Sequence, residues 1–326
     1  MPLSRRTFLQ TAAALGAGSL GSFAAPARKA QIAITLDLEM SAQYPRAGMT
    51  EWNYEKGNLD EPTKAYALEA GKLVKARGSV LHYFCVGRVL EQPNIDWLKE
   101  LHASGHPIGN HTYDHVYVLA QTPEQTQFRF QRSPWLVEGL SAREIIERNV
   151  RLGHVAMTQR AGITVHGFRT PGGFADGLDD RADVQDLLLG CGYPWVSSKY
   201  PRHDTGKPGE QPDAAVYANI VAAQAAAQPF VYPSGLIEIP MSPISDVNAF
   251  RSNHWKLDWF LEAIRRGVTW AIENRAVYDF LAHPSCLVVE DPEFAAIRLI
   301  CDLVAAAGDR AEIVGLDKIA AALKTP

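Results

Sequence analysis

Apolar positions along this chain follow two different periods. The run Ile32-Ala33-Ile34-Thr35-Leu36 is short and β-branched, with charged residues after it, which is the pattern of a buried strand. Residues 61–77 carry apolar side chains at helical spacing and stop at Gly78, a residue suited to the left-handed position that ends a helix. Residues 80–86 then read as strand and 95–104 as helix, before Pro107-Ile108-Gly109 leads into a histidine-rich turn. Ser141-Ala142-Arg143-Glu144 is a capping box that opens a helix predicted to reach about Arg160. Further strands are predicted at 165–168, 195–197, 236–239 and 277–281, with helices at 180–190, 257–274 and 292–307. Strand–helix alternation of this kind predicts a parallel α/β architecture. About seven strands in one stretch of this length suit a distorted (β/α) barrel better than an open sheet.

Three stretches interrupt the alternation. Residues 40–60, with Tyr44, Trp52 and Tyr54, and 120–139, with Phe128, Phe130 and Trp135, read as long loops after strands. Their aromatics suit either stacking on sugar rings or a small core beneath the loops. Residues 201–230, rich in Pro, Gly, Ala and Gln, read as an insertion without an assigned purpose.

The first 27 residues stand outside the fold. Ser4-Arg5-Arg6-Thr7-Phe8-Leu9 precedes an Ala- and Gly-rich run and then Ala25-Pro26-Ala27, the layout of an export signal. It resembles the twin-arginine signal, and cleavage is expected after Ala27. That resemblance implies the twin-arginine export machinery as a partner, a folded cargo, and a periplasmic or extracellular destination. One domain is expected over 28–326, with no stable membrane insertion once the signal is removed, since no later stretch is long and apolar enough to span a bilayer.

Composition narrows the function classes. The 326 residues are 47% hydrophobic and 21% charged, ordinary for a well-cored globular chain. Net charge is −4. Loss of residues 1–27, which hold two arginines and no acids, makes it −6. Neither value gives a broad electrostatic reason to bind nucleic acid. Four cysteines are too few for a disulfide framework in a chain of this length, and buried thiols are expected. No Gly-x-Gly-x-x-Gly turn follows the first strand, so nucleotide binding has no support.

Chemistry concentrates at the ends of predicted strands. His111-Thr112-Tyr113-Asp114-His115 sets two imidazoles four residues apart, close enough to share a metal ion if the turn is helical. Asp37-Leu38-Glu39 ends the first strand, Arg169-Thr170-Pro171-Gly172-Gly173 follows the strand at 165–168, and His283-Pro284 follows the one at 277–281. In a parallel barrel these ends converge on one face, where active sites lie. Asp37 and Glu39, two apart on a strand, point to the same side.

In that order the motifs resemble the polysaccharide deacetylase family, the carbohydrate esterase group with the NodB homology domain. Thr35-Leu36-Asp37-Leu38-Glu39 stands for the family's Thr-Phe-Asp-Asp, and His111, Thr112 and His115 match its second motif. Arg169, Pro171 and Gly173 match the third, and Leu281-Ala282-His283 the last. The resemblance runs over roughly 32–285. It implies a NodB-like distorted barrel and metal-dependent removal of acetyl groups from an acetylated glycan such as peptidoglycan, a chitin-like oligomer or an exopolysaccharide.

Carried over, His111 and His115 bind a divalent ion, most simply zinc, and Arg169 orients the base. The Gly172 backbone N–H faces the oxyanion, and His283 is the acid. The first motif departs from the pattern, because Leu38 stands where the family has its second aspartate. Asp37 as base with Glu39 as ligand is the preferred assignment, and Asp37 as ligand is the alternative. The fourth motif is faint: Trp195 would wall the acetyl pocket, and Asp176, Asp179 or Asp180 would tune His283. Two other readings stay open, a hydrolase of a non-sugar amide or cyclic imide, and a glycan-binding protein without catalysis.

Overall fold

The computed structural model describes residues 28–41, 44 and 56–324. The export signal, Trp52 and Tyr54 lie outside the described residues. Among the described residues nine strands form one sheet: β1 (Ala30–Leu38), β2 (His82–Cys85), β3 (Ile108–Asn110), β4 (Val165–Phe174), β5 (Trp195–Lys199), β6 (Phe230–Val231), β7 (Ile237–Glu238), β8 (Val277–Ala282) and β9 (Ala311–Ile313). Their order is β6-β7-β5-β4-β3-β2-β1-β8, with β9 also paired to β1. All pairings are parallel except β6 with β7. The distorted parallel barrel expected from the pattern is thus present, with nine strands rather than about seven. The strands that the sequence pattern does not name, β3, β6 and β9, have only two or three residues, too short to show a period.

The sheet curls until its two ends meet. Beyond β7, the Ser242 N–H donates to the Asp279 carbonyl at 3.0 Å, and the Asp279 N–H donates to Ser242 Oγ at 3.0 Å. Lower on β8, the Gln228 amide accepts from the Val277 N–H at 2.9 Å and donates to its carbonyl at 3.0 Å. Side chains thereby satisfy backbone groups that an open edge would leave bare.

Capping chemistry places the helices close to where the sequence predicts them. Asp60 caps the helix Glu61–Ala76, which has proline in its first turn. Ser141 and Glu144 form the capping box of the helix Ala142–Ala161, which ends at Gly162 with φ +66°. The stretch read as an insertion holds the helix Ala214–Ala223, packed against the helix Leu257–Asn274. Among the described residues, no helix is long and apolar enough to cross a membrane.

Strand alternation divides the core. Ile32, Ile34, Leu36 and Leu38 of β1 join the large apolar cluster under the outer helices, whereas Ala33 joins a smaller cluster with Phe84, Trp195, Val277 and Leu316. That second cluster is the floor of the barrel interior, closed from below by the helix Leu316–Lys324. Trp195 belongs to this floor. Its ring meets His82 and Phe84 edge-on, with centroids 5.6 and 6.2 Å away, and it is 4% exposed. Gly167, with φ +76°, gives it room. A Cβ there would lie 1.8 Å from the Trp195 ring. Gly167→Ala therefore combines overpacking with a strained backbone and should destabilise the fold by about 1–3 kcal/mol or more in denaturant unfolding. An unchanged midpoint would show that this close approach is not a constraint.

Candidate metal centre and active site

Above the floor, the same inward positions carry polar groups. Thr35, Arg169, Ser197 and Asp279 form a middle tier, and Asp37, Glu39, His111 and His283 an upper one at the C-terminal strand ends. A cavity of about 260 Å³ opens over this upper tier, lined by Asp37, Glu39, His111, His115, Gly172 and His283 among others. Seven of the eight sequence-predicted site residues are thus brought together, six at the cavity and Arg169 directly beneath it.

Trp195, expected to wall the pocket, is the exception. At the start of β5 it lies one tier below Ser197, so it packs the floor instead of walling the pocket.

The guanidinium of Arg169 is fully buried and holds the middle tier together. One terminal nitrogen donates to Thr35 Oγ1 at 2.8 Å and to Asp37 Oδ1 at 3.0 Å. The other donates to Asp279 Oδ2 at 2.5 Å and to Ser197 Oγ at 3.2 Å, and Nε also reaches Ser197 Oγ. Its plane lies over the Phe84 ring, 4.3 Å from the centroid. Asp37 is thereby fixed by one oxygen while Oδ2 turns toward His111 Nε2, 3.7 Å away. Burial pushes the Asp279 carboxyl up to about 6, even though Arg169 pulls the other way.

The histidine pair reaches its place without a helix. Thr112 and His115 both have φ of +59°, so the segment is an irregular turn rather than the helical one that would bring positions four apart together. Asn149 pins it: its carbonyl accepts from the Tyr113 N–H at 3.1 Å, and its Oδ1 accepts from the Asp114 N–H at 2.7 Å. On the far side, the N–H groups of Gly87 and Arg88 donate to the carbonyls of Thr112 and Tyr113. His111 Nδ1 donates to the Arg169 carbonyl at 3.0 Å, which leaves Nε2 with its lone pair facing the cavity.

Glu39, His111 and His115 each offer a ligand atom, and these atoms lie within 4.8 Å of one another. Glu39 Oε2 is 2.6 Å from His115 Nε2 and 3.6 Å from His111 Nε2, while Oε1 is engaged by Lys56. Oε2 is itself a buried oxygen that lacks a hydrogen-bond partner. Burial pushes the His115 imidazole down to about 4, toward the neutral form that binds metals. Burial also pushes the Glu39 carboxyl up, but its neighbours, His115 and the Lys56 ammonium foremost, outweigh it, so Glu39 stays well below the usual range. One carboxylate and two neutral imidazoles suit a divalent cation with positions left open. The donor set fits.

His283 begins the rim after β8. Its backbone N–H donates to Asp246 Oδ2 at 2.7 Å, and Nδ1 donates to Asp246 Oδ1 at 2.9 Å. Nε2 then faces the carboxylates, 3.7 Å from Glu39 Oε1 and 4.0 Å from Asp37 Oδ2. Burial alone would lower its pKa, yet Asp246, Glu39 and Asp37 together raise it. The partner of His283 is therefore Asp246; Asp176, Asp179 and Asp180 are exposed, and Asp176 pairs with Arg202.

Sequence reading missed Asp246, Asp279 and Lys56. Asp279 was recoverable, since 279, 281 and 283 share one face of a strand. Asp246 sits in irregular chain before the short π-helical turn Val247–Ser252, with no motif to mark it. Gly172, with φ +83°, lines the cavity, and its carbonyl accepts from Thr170 Oγ1 at 2.8 Å. The loop aromatics divide. Phe130, 4% exposed, packs a local core, and Trp135, 68% exposed, does not.

Because only Glu39 presents an unpartnered oxygen to both imidazoles, the two acids should separate in metal binding. Titration with zinc against a chromophoric chelator should give one tight site per chain, weakened at least about tenfold by Glu39→Gln and by His115→Ala. Asp37→Asn should keep the site. Zinc affinity lost in Asp37→Asn but retained in Glu39→Gln would reverse the assignment.

The family model described as polysaccharide deacetylase matches residues 59–183, a span that includes His111, His115, Arg169 and Gly172. No curated protein matches the chain by sequence. Among solved structures, a protein designated polysaccharide deacetylase from Mycobacterium smegmatis aligns with TM-score 0.60 and 16% identity, over 92% of each chain. PuuE allantoinase aligns with TM-score 0.59 and 13% identity over 92% of this chain and 93% of its own. A second protein designated polysaccharide deacetylase, from Pseudomonas aeruginosa PAO1, gives TM-score 0.58 and 15% identity over 89% of each chain. At such identities the likeness is one of fold. The family model thus matches the middle of the chain, and the solved structures share its barrel fold.

Proposed function

We propose that this protein is an exported, metal-dependent hydrolase that removes N-acetyl groups from an amino-sugar polymer or oligomer. The observation that carries the reading is one juxtaposition. Asp37, held by Arg169, and His283, held by Asp246, face each other across the Glu39–His111–His115 cluster with Oδ2 and Nε2 4.0 Å apart. A base and an acid so placed can serve the two proton transfers of amide hydrolysis. Zinc is the ion we infer, and any divalent ion there supplies Lewis acidity, polarising an acyl oxygen and making water a better nucleophile.

The protein's own groups do the rest. Asp37 Oδ2 accepts the proton of the attacking water, while Arg169 and Thr35 keep its carboxylate from rotating. The water oxygen adds to the acyl carbon, and the Gly172 N–H is the donor we assign to the developing oxyanion. His283 Nε2–H then protonates the nitrogen as the C–N bond breaks, giving acetate and a free amine. Asp246 accepts from Nδ1–H and favours the imidazolium, the form in which Nε2 also carries a proton to give. The twin-arginine-like segment supports export, and an acetylated glycan is a substrate expected outside the cytoplasm. The fold alone does not settle the acyl group, since a protein named as an allantoinase shares it.

Acetate release from acetylated chito-oligomers and peptidoglycan should cease on chelation and fall at least about a hundredfold in His283→Ala. Release unaffected by either change would defeat the mechanism, and turnover of allantoin without acetate release would move the substrate to a cyclic amide. The acid form of His283 works below its raised pKa, so activity should decline as pH rises through that pKa. Asp246→Asn removes the anion that raises it, and the alkaline limb of the kcat profile should move to lower pH. A limb that stays in place or moves upward would show that Asp246 does not tune His283.

A further inference from the structure

The charges around the cavity are matched almost one for one. Arg169 is paired with Asp37 and Asp279, Lys56 with Glu39, and His283 with Asp246. Arg251 breaks the pattern. Its side chain lines the cavity and is half-buried, and among the described residues its guanidinium has no ion-pair or hydrogen-bond partner. A partly desolvated charge without a counter-ion costs free energy, and sites that retain one commonly complete it with a ligand.

The setting favours a ligand over chance. Ser245, Asn248 and Arg251 follow one another at three-residue intervals, and all three line the same cavity as Asp37 and His283. They flank and occupy the short π-helical turn Val247–Ser252, a geometry that recurs at functional sites. Asp246, which holds His283, stands at the start of that turn. The wall that fixes the proposed acid therefore also carries a planar fork of N–H donors that no described protein group engages. Such a fork matches a carboxylate with two parallel hydrogen bonds.

From this arrangement we infer that Arg251 is a substrate-reading residue, and that the favoured substrate is an N-acetylated sugar unit carrying a carboxylate. The inference rests on the deacetylase reading for the identity of the acyl group. The pairing itself rests on the cavity alone. Asn248 and Ser245 supply neutral polar neighbours beside the charge, so the carboxylate would be held at the wall while the acetyl group lies over Asp37 and His283.

Equilibrium binding tests it separately from catalysis. Calorimetry on the whole protein in the presence of chelator should compare N-acetylmuramic acid, N-acetylglucosamine and N-acetylglucosamine 6-phosphate at low salt. The carboxylate sugar is expected to bind at least about tenfold tighter than the neutral one, the scale of one charge-assisted pair. Arg251→Gln should reduce that preference to within about twofold while leaving the neutral sugar's affinity in place. Arg251→Lys, which keeps the charge but not the fork, should retain only part of the preference, and thermal unfolding of both variants reports that they fold.

Equal affinity for the charged and neutral sugars, undetectable binding of the carboxylate sugar, or a preference that survives Arg251→Gln would overturn the inference. Selection of the phosphate sugar over the carboxylate one would overturn the assignment of the anion. Acetate release bears only on the deacetylase reading. A carboxylate preference lost in Arg251→Gln stands even where no acetate is produced.

Discussion

The buried guanidinium of Arg169 is the interaction on which the architecture of the site depends. It lies inside the barrel with two carboxylates, two hydroxyls and an aromatic face around it, drawn from β1, β2, β5 and β8. A charge in that position is tolerable only when its donors are occupied, because the desolvation cost is several kcal/mol on the order expected for buried ions. Once the fork is satisfied, the strands that supply its partners are held in register. The barrel's middle tier is in this sense an electrostatic joint, and Asp37 is the partner on its upper side.

The upper tier inherits its geometry from that joint. Asp37 is anchored from below, His111 is anchored through the Arg169 carbonyl, and Glu39 follows Asp37 two residues on, so its side chain rises to the same face. His115 arrives from an irregular turn held on both sides by backbone hydrogen bonds. The three candidate ligand atoms converge because they hang from rigid strands and a pinned turn, and such preorganisation would let a cation bind without reordering. The division of Glu39, with one oxygen on Lys56 and the other toward the imidazoles, disposes it toward single-oxygen ligation.

The two sides of the cavity differ in electrostatic character. On the side of β1 the carboxylates are matched by Arg169 and Lys56, whereas the turn at Val247–Ser252 carries Arg251 without a counter-ion among the described residues. Chemistry and recognition are thus assigned to different elements. Strand ends hold the groups proposed to react, and a short turn beyond β7 holds both the partner of His283 and the group inferred to read the substrate. Variation in that turn could alter recognition only within limits, since Asp246 at its start is tied to His283 by two hydrogen bonds.

How much of this was legible before any coordinates follows from the range of the forces involved. Strand and helix periods, the Ser141 capping box and the placing of Asp37, Glu39, His111, Arg169 and His283 at strand ends are local properties, written in a few adjacent residues, and the tertiary structure gathers those groups on one face. Gly167, Trp195, Asp246 and Arg251 could not be assigned in this way. Trp195 is an inward residue one tier too low to reach the cavity, a fact set by register across β4 and β5. Asp246 finds His283 across 37 residues of chain, and Arg251 has meaning only through the charges that are, or are not, beside it. Local sequence determined which chemistry the barrel could carry. Long-range packing decided which residues share a dielectric environment, because pairing and burial depend on neighbours in space and not on neighbours in the chain.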